Sequence, residues 1–500
     1  MDKSIIIVGA GIAGLAAGCY GQMNSYRTRI FEMHTTPGGL CTAWKRNGYT
    51  IDGCIHWLVG SSPKNDFYRF WEELGAVQGR RIIDHDEYMR IEGEDGKVFI
   101  VYTDSNRLEQ HMKQLAPEDN DVIEEFVEGI RRFTCFDMPV DKAPELYNIA
   151  DWFKMLLKMF PHLGIMRKWQ NISVHDYARR FKNPFLRQAF PLTLDVPDIP
   201  MMALLITLAW LDQKTSGYPL GGSLEFARGI EKRYLDLKGE INYRSPVSRI
   251  LVENDKAVGV QLADGSEHRS DIVISAADGH ATIFNMLGGN YINNKIKGYF
   301  DELPIFPPLI YIGLGVARTF DDIPHLVAGM NYSLNEPITI DRKELKRLGV
   351  LVHNYDPDMA PSGKTVVRVI LESDYERWKE LQQDPERYKA EKEQIANQVI
   401  ALLDQRFPGL AAQVEMCDVA TPTTWEHYTG NWQGSFEGWL FTTKTLGMRM
   451  SKTLPGLKNF YMAGQWVEPG GGLPTVAMSG RNVIQIICKQ DRKQFTTRTS

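Results

Sequence analysis

Three glycines, Gly9, Gly11 and Gly14, follow a short β-branched run, Ile5–Val8, and open an alanine- and leucine-rich helical pattern. That strand–turn–helix setting turns a glycine triplet into a phosphate-binding element. The first glycine permits the tight turn, the second lets the backbone approach a pyrophosphate, and the third lets the helix pack against the sheet. The helix start then offers unpaired N–H groups and the positive end of its dipole to the phosphates. The run Thr28-Arg29-Ile30-Phe31 leads into Glu32, an acid about 20 residues further on and placed to hold a ribose hydroxyl. These residues define capture of an adenine dinucleotide.

Two further glycine elements narrow the ligand. Gly38 and Gly39, followed by Leu40, come just after the ribose-binding acid. They suit a turn that brings more backbone against a diphosphate and a ribityl chain, for which a nicotinamide-only dehydrogenase has no evident need. Near the C-terminus, Asn459 to Trp466 carries Gly464 and Gln465, and Glu468-Pro469-Gly470-Gly471-Gly472-Leu473-Pro474 leads into a helical pattern from Thr475 to about Cys488. This reads as a strand, a glycine-rich bend and a helix whose N-terminus points at something anionic.

The elements that must position these motifs lie far apart in the chain. Glycine motifs fall in residues 1–80, and 440–500, with a run of short strands between them at 215–290. A discontinuous domain is predicted, with 81–214 and 291–439 folding as one substrate-facing lobe. In the middle piece Glu240–Tyr243, Val247–Val252, Ala257–Leu262 and Asp271–Ser275 read as strands, with turns at Asn254-Asp255 and Asp264-Gly265. The first insertion reads as strands Tyr88–Ile91 and Val98–Tyr102, then helix from Asn106 to Arg132. The second reads as strands Leu309–Val316, Gly349–His353 and Thr365–Leu371, then a long helix from Tyr375 to Arg406 broken near Pro385. Met201–Leu211 is an apolar run too short to span a bilayer, and reads as a buried helix or a tunnel wall. The polar end, Lys489 to Ser500, is predicted to fray.

With 500 residues the chain has ample length for several domains, and a net charge of −5 gives no electrostatic footprint for nucleic acid. The six cysteines lack paired or metal-ligand spacing, which predicts a reducing, cytoplasmic setting. The first strand begins by Ser4, which predicts no room for a secretory signal or an organelle transit peptide.

Taken with Gly48–Asp52, Tyr218–Ser223, Val247–Ile250, Asp271–Asp278 and Thr421-Pro422, these elements resemble the FAD-dependent phytoene desaturase family. That family includes carotenoid isomerases and retinol saturases and lies within the amine-oxidase-like flavoproteins. The resemblance covers nearly the whole chain. It implies an α/β fold, a discontinuous Rossmann-like FAD-binding domain with an inserted α+β substrate-binding domain. It also implies that Gly9, Gly11, Ala13 and Gly14 take the FAD diphosphate, Glu32 the adenosine ribose, and the backbone of Val247 the adenine. Gly38, Gly39 and Leu40 would line the ribityl side, with Gly464 and Gln465 near the diphosphate. Gly472, Leu473 and Val476 would face the pyrimidine edge of the isoalloxazine, where a helix N-terminus stabilises the charge of the reduced ring. Relatives place Arg where this chain has Leu40, and a glycine in the register of Cys54, with Gly53 one position early.

The resemblance brings His56 towards the isoalloxazine, where it either positions substrate, shuttles a proton near neutral pH, or is hydrogen-bonded in a buried turn. Cys54 is read as a small buried hydrophobe or a redox thiol, and His427 with Tyr428 as packing of a flavin-contacting loop. In 152–169, Lys154 and Lys158 share one face of an otherwise apolar helix, and Arg167-Lys168-Trp169 follow. The pattern fits peripheral contact with a membrane interface, or a cap on the substrate lobe. The activity expected is FAD-dependent desaturation, saturation or isomerisation of a long apolar polyene or isoprenoid lipid in a tunnel walled partly by Met201–Leu211. A flavin amine oxidase and a non-catalytic FAD-dependent lipid-binding protein are the alternatives. Net redox turnover also requires an external electron acceptor or donor, which no motif names.

Overall fold

The structure is a computed structural model and describes residues 2–136, 140–194, 196, 198–446, 448, 450–470 and 472–497. Gly471 of the third glycine element and the last three residues of the polar tail lie outside that set.

Five parallel strands form the frame, in the order Phe460–Met462, Ile272–Ser275, Ser4–Val8, Arg27–Phe31, Glu240–Asn242. Segments from the start, the middle and the end of the chain thus share one hydrogen-bonded sheet. Ile272–Ser275 and Phe460–Met462 are buried along their whole length, as strands covered on both faces must be. The helix Ile12–Met23 lies against this sheet and buries every residue except Gln22. Small residues allow that depth. A Cβ on Gly18 would stand 2.7 Å from the Tyr234 ring, and one on Gly480 would stand 2.3 Å from the carbonyl oxygen of Ala13. The helices Gly222–Asp236 and Leu473–Gln490 therefore pack on it at close range. A three-stranded antiparallel sheet, Val247–Glu253, Lys256–Leu262 and Glu267–Arg269, stands beside the frame. Its first turn places Asn254 and Asp255 at φ 49° and 59°, the geometry of a type I′ hairpin.

Both inserted stretches contribute to one seven-stranded sheet. Its order is Val414–Ala420, Leu309–Val316, Thr365–Glu372, Lys343–Val352, Leu326–Ile340, Glu87–Glu92, Val98–Tyr102, and only the Leu326–Ile340/Glu87–Glu92 pairing is parallel. Leu326–Ile340 carries no strand signal in the sequence, and its partner Lys343–Val352 overlaps the expected strand Gly349–His353 only at its end. The turn joining them, Asp341-Arg342 at φ 50° and 63°, is a two-residue hairpin turn built without the Asn-Gly or Asp-Gly signal that would have flagged it. The helix Tyr375–Leu381 ends before Pro385, where Asp384 caps a second helix, Pro385–Arg406.

Three expectations are corrected. Met201–Asp212 is a core helix, with Leu205 and Leu208 among the buried residues that pack with Phe126 and Ile130 of the helix Asn120–Phe133. It does not line the large cavity described below. The polar tail is docked rather than frayed as far as it is described: Leu473–Gln490 is helical, Phe495 rests on Tyr20 at 5.8 Å, and Asn24 exchanges two 2.8 Å hydrogen bonds with the Thr496 backbone. The basic amphipathic segment is split. Ile149–Met159 buries none of its residues, whereas Trp169 is buried against Tyr177 at 5.3 Å and belongs to the core.

Candidate active site

The hairpin Ala43–Arg46/Tyr49–Asp52 couples the frame to the seven-stranded sheet. Gly313 and Gly315 of Leu309–Val316 leave room for Ile51 and Tyr49, whose atoms would lie 2.9 and 2.6 Å from Cβ atoms added there. From that seat the buried Asp52 organises the following loop. Its carboxylate accepts from the Cys54 N–H at 2.9 Å, the Ser223 N–H at 2.8 Å and the Ser223 hydroxyl at 2.5 Å. The Ser223 Oγ in turn accepts from the Ile55 N–H at 2.7 Å. Burial raises the Asp52 carboxyl above its ordinary range, and these donors oppose the shift. Gly53 packs where Trp425 and Trp44 leave little space, 3.1–3.2 Å from an added Cβ, while Cys54, Ile55, His56 and Trp57 face a cavity.

That cavity has a volume of about 1200 Å³, above the range of pockets that hold one drug-sized molecule. Its walls include Gly9, Gly11, Ala13, Glu32, Gly38, Gly39, Leu40, Val247, Gly464, Gln465, Gly472, Leu473 and Val476, together with His56. Gly14 is the exception among the proposed ligand-binding residues. It lies behind the wall, where an added Cβ would stand 2.0 Å from the Gly9 carbonyl oxygen, so it serves helix–strand packing. His427 is also outside the wall, whereas Tyr428 is part of it.

The donor set fits a dinucleotide. The helix Ile12–Met23 starts at Gly11 with no side-chain cap and no acid in its first turn, so its leading N–H groups are left for an anion. An added Cβ on Gly11 meets nothing closer than 3.9 Å, which is the open approach a pyrophosphate needs. The Glu32 carboxylate is held at the end of its strand by the N–H groups of Ala10 (2.6 Å) and His34 (2.8 Å). A second uncapped helix, Leu473–Gln490, points its N-terminus into the same cavity through Gly472, Leu473 and Val476.

Behind His56 lies a buried cluster that sequence spacing did not reveal. Arg368 of Thr365–Glu372 donates to Nε2 of His56 and, at 3.2 Å, to the Asp52 carbonyl, with its guanidinium 5.0 Å from the Tyr311 ring centre. A guanidinium can only donate, so the His56 proton resides on Nδ1. Burial and the adjacent Arg368 charge both push the His56 pKa well below its ordinary value. His353, affected by burial and by the same arginine, is likewise held neutral. No sequence signal joins Arg368, on the strand Thr365–Glu372, to His56, in the loop after Tyr49–Asp52 and 312 residues away.

Glycine cradle, anchored acid and paired helix N-termini together define a flavin-dependent oxidoreductase of the Rossmann-like α/β class, with FAD as its cofactor. The sequence model of the flavin containing amine oxidoreductase family matches residues 12–488, and the chain belongs to that family. Among curated relatives it is 26% identical to the lycopene-forming phytoene desaturase of Pseudescherichia vulneris, over 97% of this chain and 99% of the relative. It is 25% identical to the chloroplastic prolycopene isomerase of Daucus carota, over 96% and 79% respectively. Among solved structures, an oxidoreductase from Methanosarcina mazei superposes with a TM-score of 0.60 at 17% identity, over 96% of this chain and 100% of that one. A putrescine oxidase variant superposes with a TM-score of 0.61 at 12% identity, over 98% and 99%. These structural likenesses show the fold.

Proposed function

We propose that this flavoprotein desaturates, saturates or isomerises a long apolar polyene or isoprenoid lipid drawn from a membrane surface. The observation that carries the reading is the exposed apolar face of residues 149–160, tied through Lys158 to a loop that leaves the cavity wall. Ile149 is 90% and Phe160 71% exposed, and Trp152, Phe153, Leu156 and Leu157 are each more than half exposed. Lys158 on the same helix lies 3.6 Å from Asp66, in the loop that runs on from Val59 of the cavity wall. Aromatic and aliphatic side chains interleaved with lysines suit the headgroup boundary of an anionic bilayer. Among the described residues no helix is long and apolar enough to cross one. Curated relatives named for phytoene desaturation and prolycopene isomerisation support a polyene as substrate. The unpaired cysteines support a reducing compartment such as the cytoplasm.

In this reading residues 1–80, 215–290 and 440–500 form the FAD-binding domain, and 81–214 with 291–439 the substrate lobe. Gly9, Gly11 and Ala13 hold the diphosphate, Glu32 the ribose and the Val247 backbone the adenine. Gly38, Gly39, Leu40, Gly464 and Gln465 line the ribityl side, and Gly472, Leu473 and Val476 meet the pyrimidine edge. FAD supplies the two-electron chemistry, accepting or returning a hydride. The chain orients the lipid and excludes water, which is most of what positioning requires. His56, its Nε2 capped by Arg368, acts in placing the substrate rather than in taking up a proton. Trp44 and Trp425 of the wall meet edge-on at 77° and form no facing pair, and the relatives named for polyene chemistry favour a lipid over an amine. The test is anaerobic bleaching of the bound flavin. Vesicles carrying acyclic isoprenoids should reduce the oxidised flavin, reoxidise the reduced flavin or be isomerised by it, and aliphatic amines should not bleach it; bleaching by amines with no response to isoprenoids refutes the proposal.

A further inference from the structure

The turn Ser435–Gly438 is fixed tightly. The Ser435 Oγ both donates to the Gly438 carbonyl and accepts from its N–H, each at 3.2 Å. Gly438 adopts a left-handed φ of 71° and lies against Gln465 and Trp466. The Phe306 N–H bonds to its carbonyl at 2.9 Å, and the Phe306 ring packs on Phe436 at 4.9 Å. The two residues between these anchors, Phe436 and Glu437, face the cavity. Among the described residues Glu437 has neither a hydrogen bond nor an ion pair.

Every other carboxylate on the wall is committed except Asp358, which, like Lys45 on the same wall, is exposed to solvent. The oxygens of Asp278 accept from the Ala281 and Trp432 N–H groups at 2.7 and 3.0 Å. Asp418 holds the Trp44 indole at 2.7 Å, and Glu225 holds Arg228 at 2.5 Å. His56 has no free lone pair, as described above. We propose that Glu437 is the proton-exchanging residue of this site, facing the substrate carbon from which a proton must leave or to which one must return. The proposal rests on the lipid reading of the substrate.

Desaturation of a –CH2–CH2– unit breaks two C–H bonds. One hydrogen departs as hydride, with both electrons of its bond, to FAD. The other departs as a proton to a Glu437 carboxylate oxygen, and the electron pair it leaves behind becomes the π bond. Saturation runs the same transfers backwards, with protonated Glu437 as donor. Burial alone pushes the Glu437 carboxyl up to about 7, so both forms are populated near neutral pH, as an acid–base group requires. The segments against the turn, Pro304–Phe306 and Gln465-Trp466, bring no titratable side chain. Glu468 further along is tied to Lys452 at 2.7 Å.

The test uses the FAD-loaded protein and its Glu437→Gln and Glu437→Asp variants. Infrared difference spectra between about pH 6 and about pH 8 should show a carboxyl that titrates in the native protein and is missing from Glu437→Gln. Flavin reduction by isoprenoid vesicles should follow the same midpoint. It should fall by on the order of 10²–10⁴-fold in Glu437→Gln and recover in part in Glu437→Asp. Either a carboxyl that titrates only in the ordinary acidic range, or an unchanged rate and pH profile in Glu437→Gln, overturns the proposal. If the carboxyl titrates near neutrality but no isoprenoid reduces the oxidised flavin, reoxidises the reduced flavin or is isomerised by it, the lipid reading fails and takes the lipid-side role with it. The infrared arm separates that failure from a failure of Glu437 itself.

Discussion

Phe153→Ser combined with Phe160→Ser should detach the protein from anionic vesicles while leaving the fold and the flavin intact. The rings are 60% and 71% exposed. Fully burying a phenylalanine is worth about 1.5–3 kcal/mol, so moving the exposed fraction of each ring into the acyl boundary yields about 1–2 kcal/mol. Losing both therefore costs about 2–4 kcal/mol, or roughly 30- to 700-fold in partition coefficient at about 1.4 kcal/mol per tenfold. The helix Ile149–Met159 buries no residue, and substitutions at such sites usually change stability by less than about 0.5 kcal/mol. Flotation with vesicles of graded anionic lipid content gives the partition coefficient, and flavin absorbance reports cofactor content. Raising salt should weaken the part due to Lys154 and Lys158, each worth about 1 kcal/mol near an anionic surface. A doubly substituted protein that partitions within about threefold of the native one refutes the assignment of this face to lipid.

Gly11→Val should yield a folded protein free of flavin, because the added atoms enter the cavity and not the core. Gly14→Ala should instead lower the melting temperature by an overpacking cost of about 1–3 kcal/mol, since its Cβ meets the Gly9 carbonyl. Flavin stoichiometry and calorimetry on both variants separate the two roles. His85, which lies beside Tyr355 and whose ring nitrogens have no hydrogen-bond partner among the described residues, is pushed by burial down to about 4. The unfolded chain binds that proton below about pH 6.5 and the native one does not until about 4, so this group costs up to about 3 kcal/mol of stability as pH falls through that window. His85→Phe should flatten that acid limb in denaturant titrations; an unchanged slope would place the acid sensitivity elsewhere.

The frame was legible because its signals are local. Ile5–Val8, the three glycines and Glu32 lie within one strand–helix–strand unit, and their spacing dictates the geometry. The lobe was legible only where strands were apolar and bounded by turn residues. Leu326–Ile340 escaped because its exposed far half, with Pro337 within it, and its Asp341-Arg342 turn look like loop. The working side chains escaped for a different reason. Arg368 reaches His56 through tertiary packing across 312 residues, and Glu437 stands out only because its surroundings withhold partners. Neither property is written in neighbouring residues.

Distance along the chain has a consequence in time. The helix Ile12–Met23 is almost wholly buried, yet its partner Leu473–Gln490 and the edge strand Phe460–Met462 are made more than 430 residues later. At a synthesis rate of about 5–20 residues per second, some 20–90 s separate the first helix from its final cover. For that interval the nascent chain carries an unfinished nucleotide cradle and a parallel sheet lacking its outer strand, a surface open to chaperones and to aggregation. Cofactor loading must await the helix Leu473–Gln490, whose N-terminus completes the cradle.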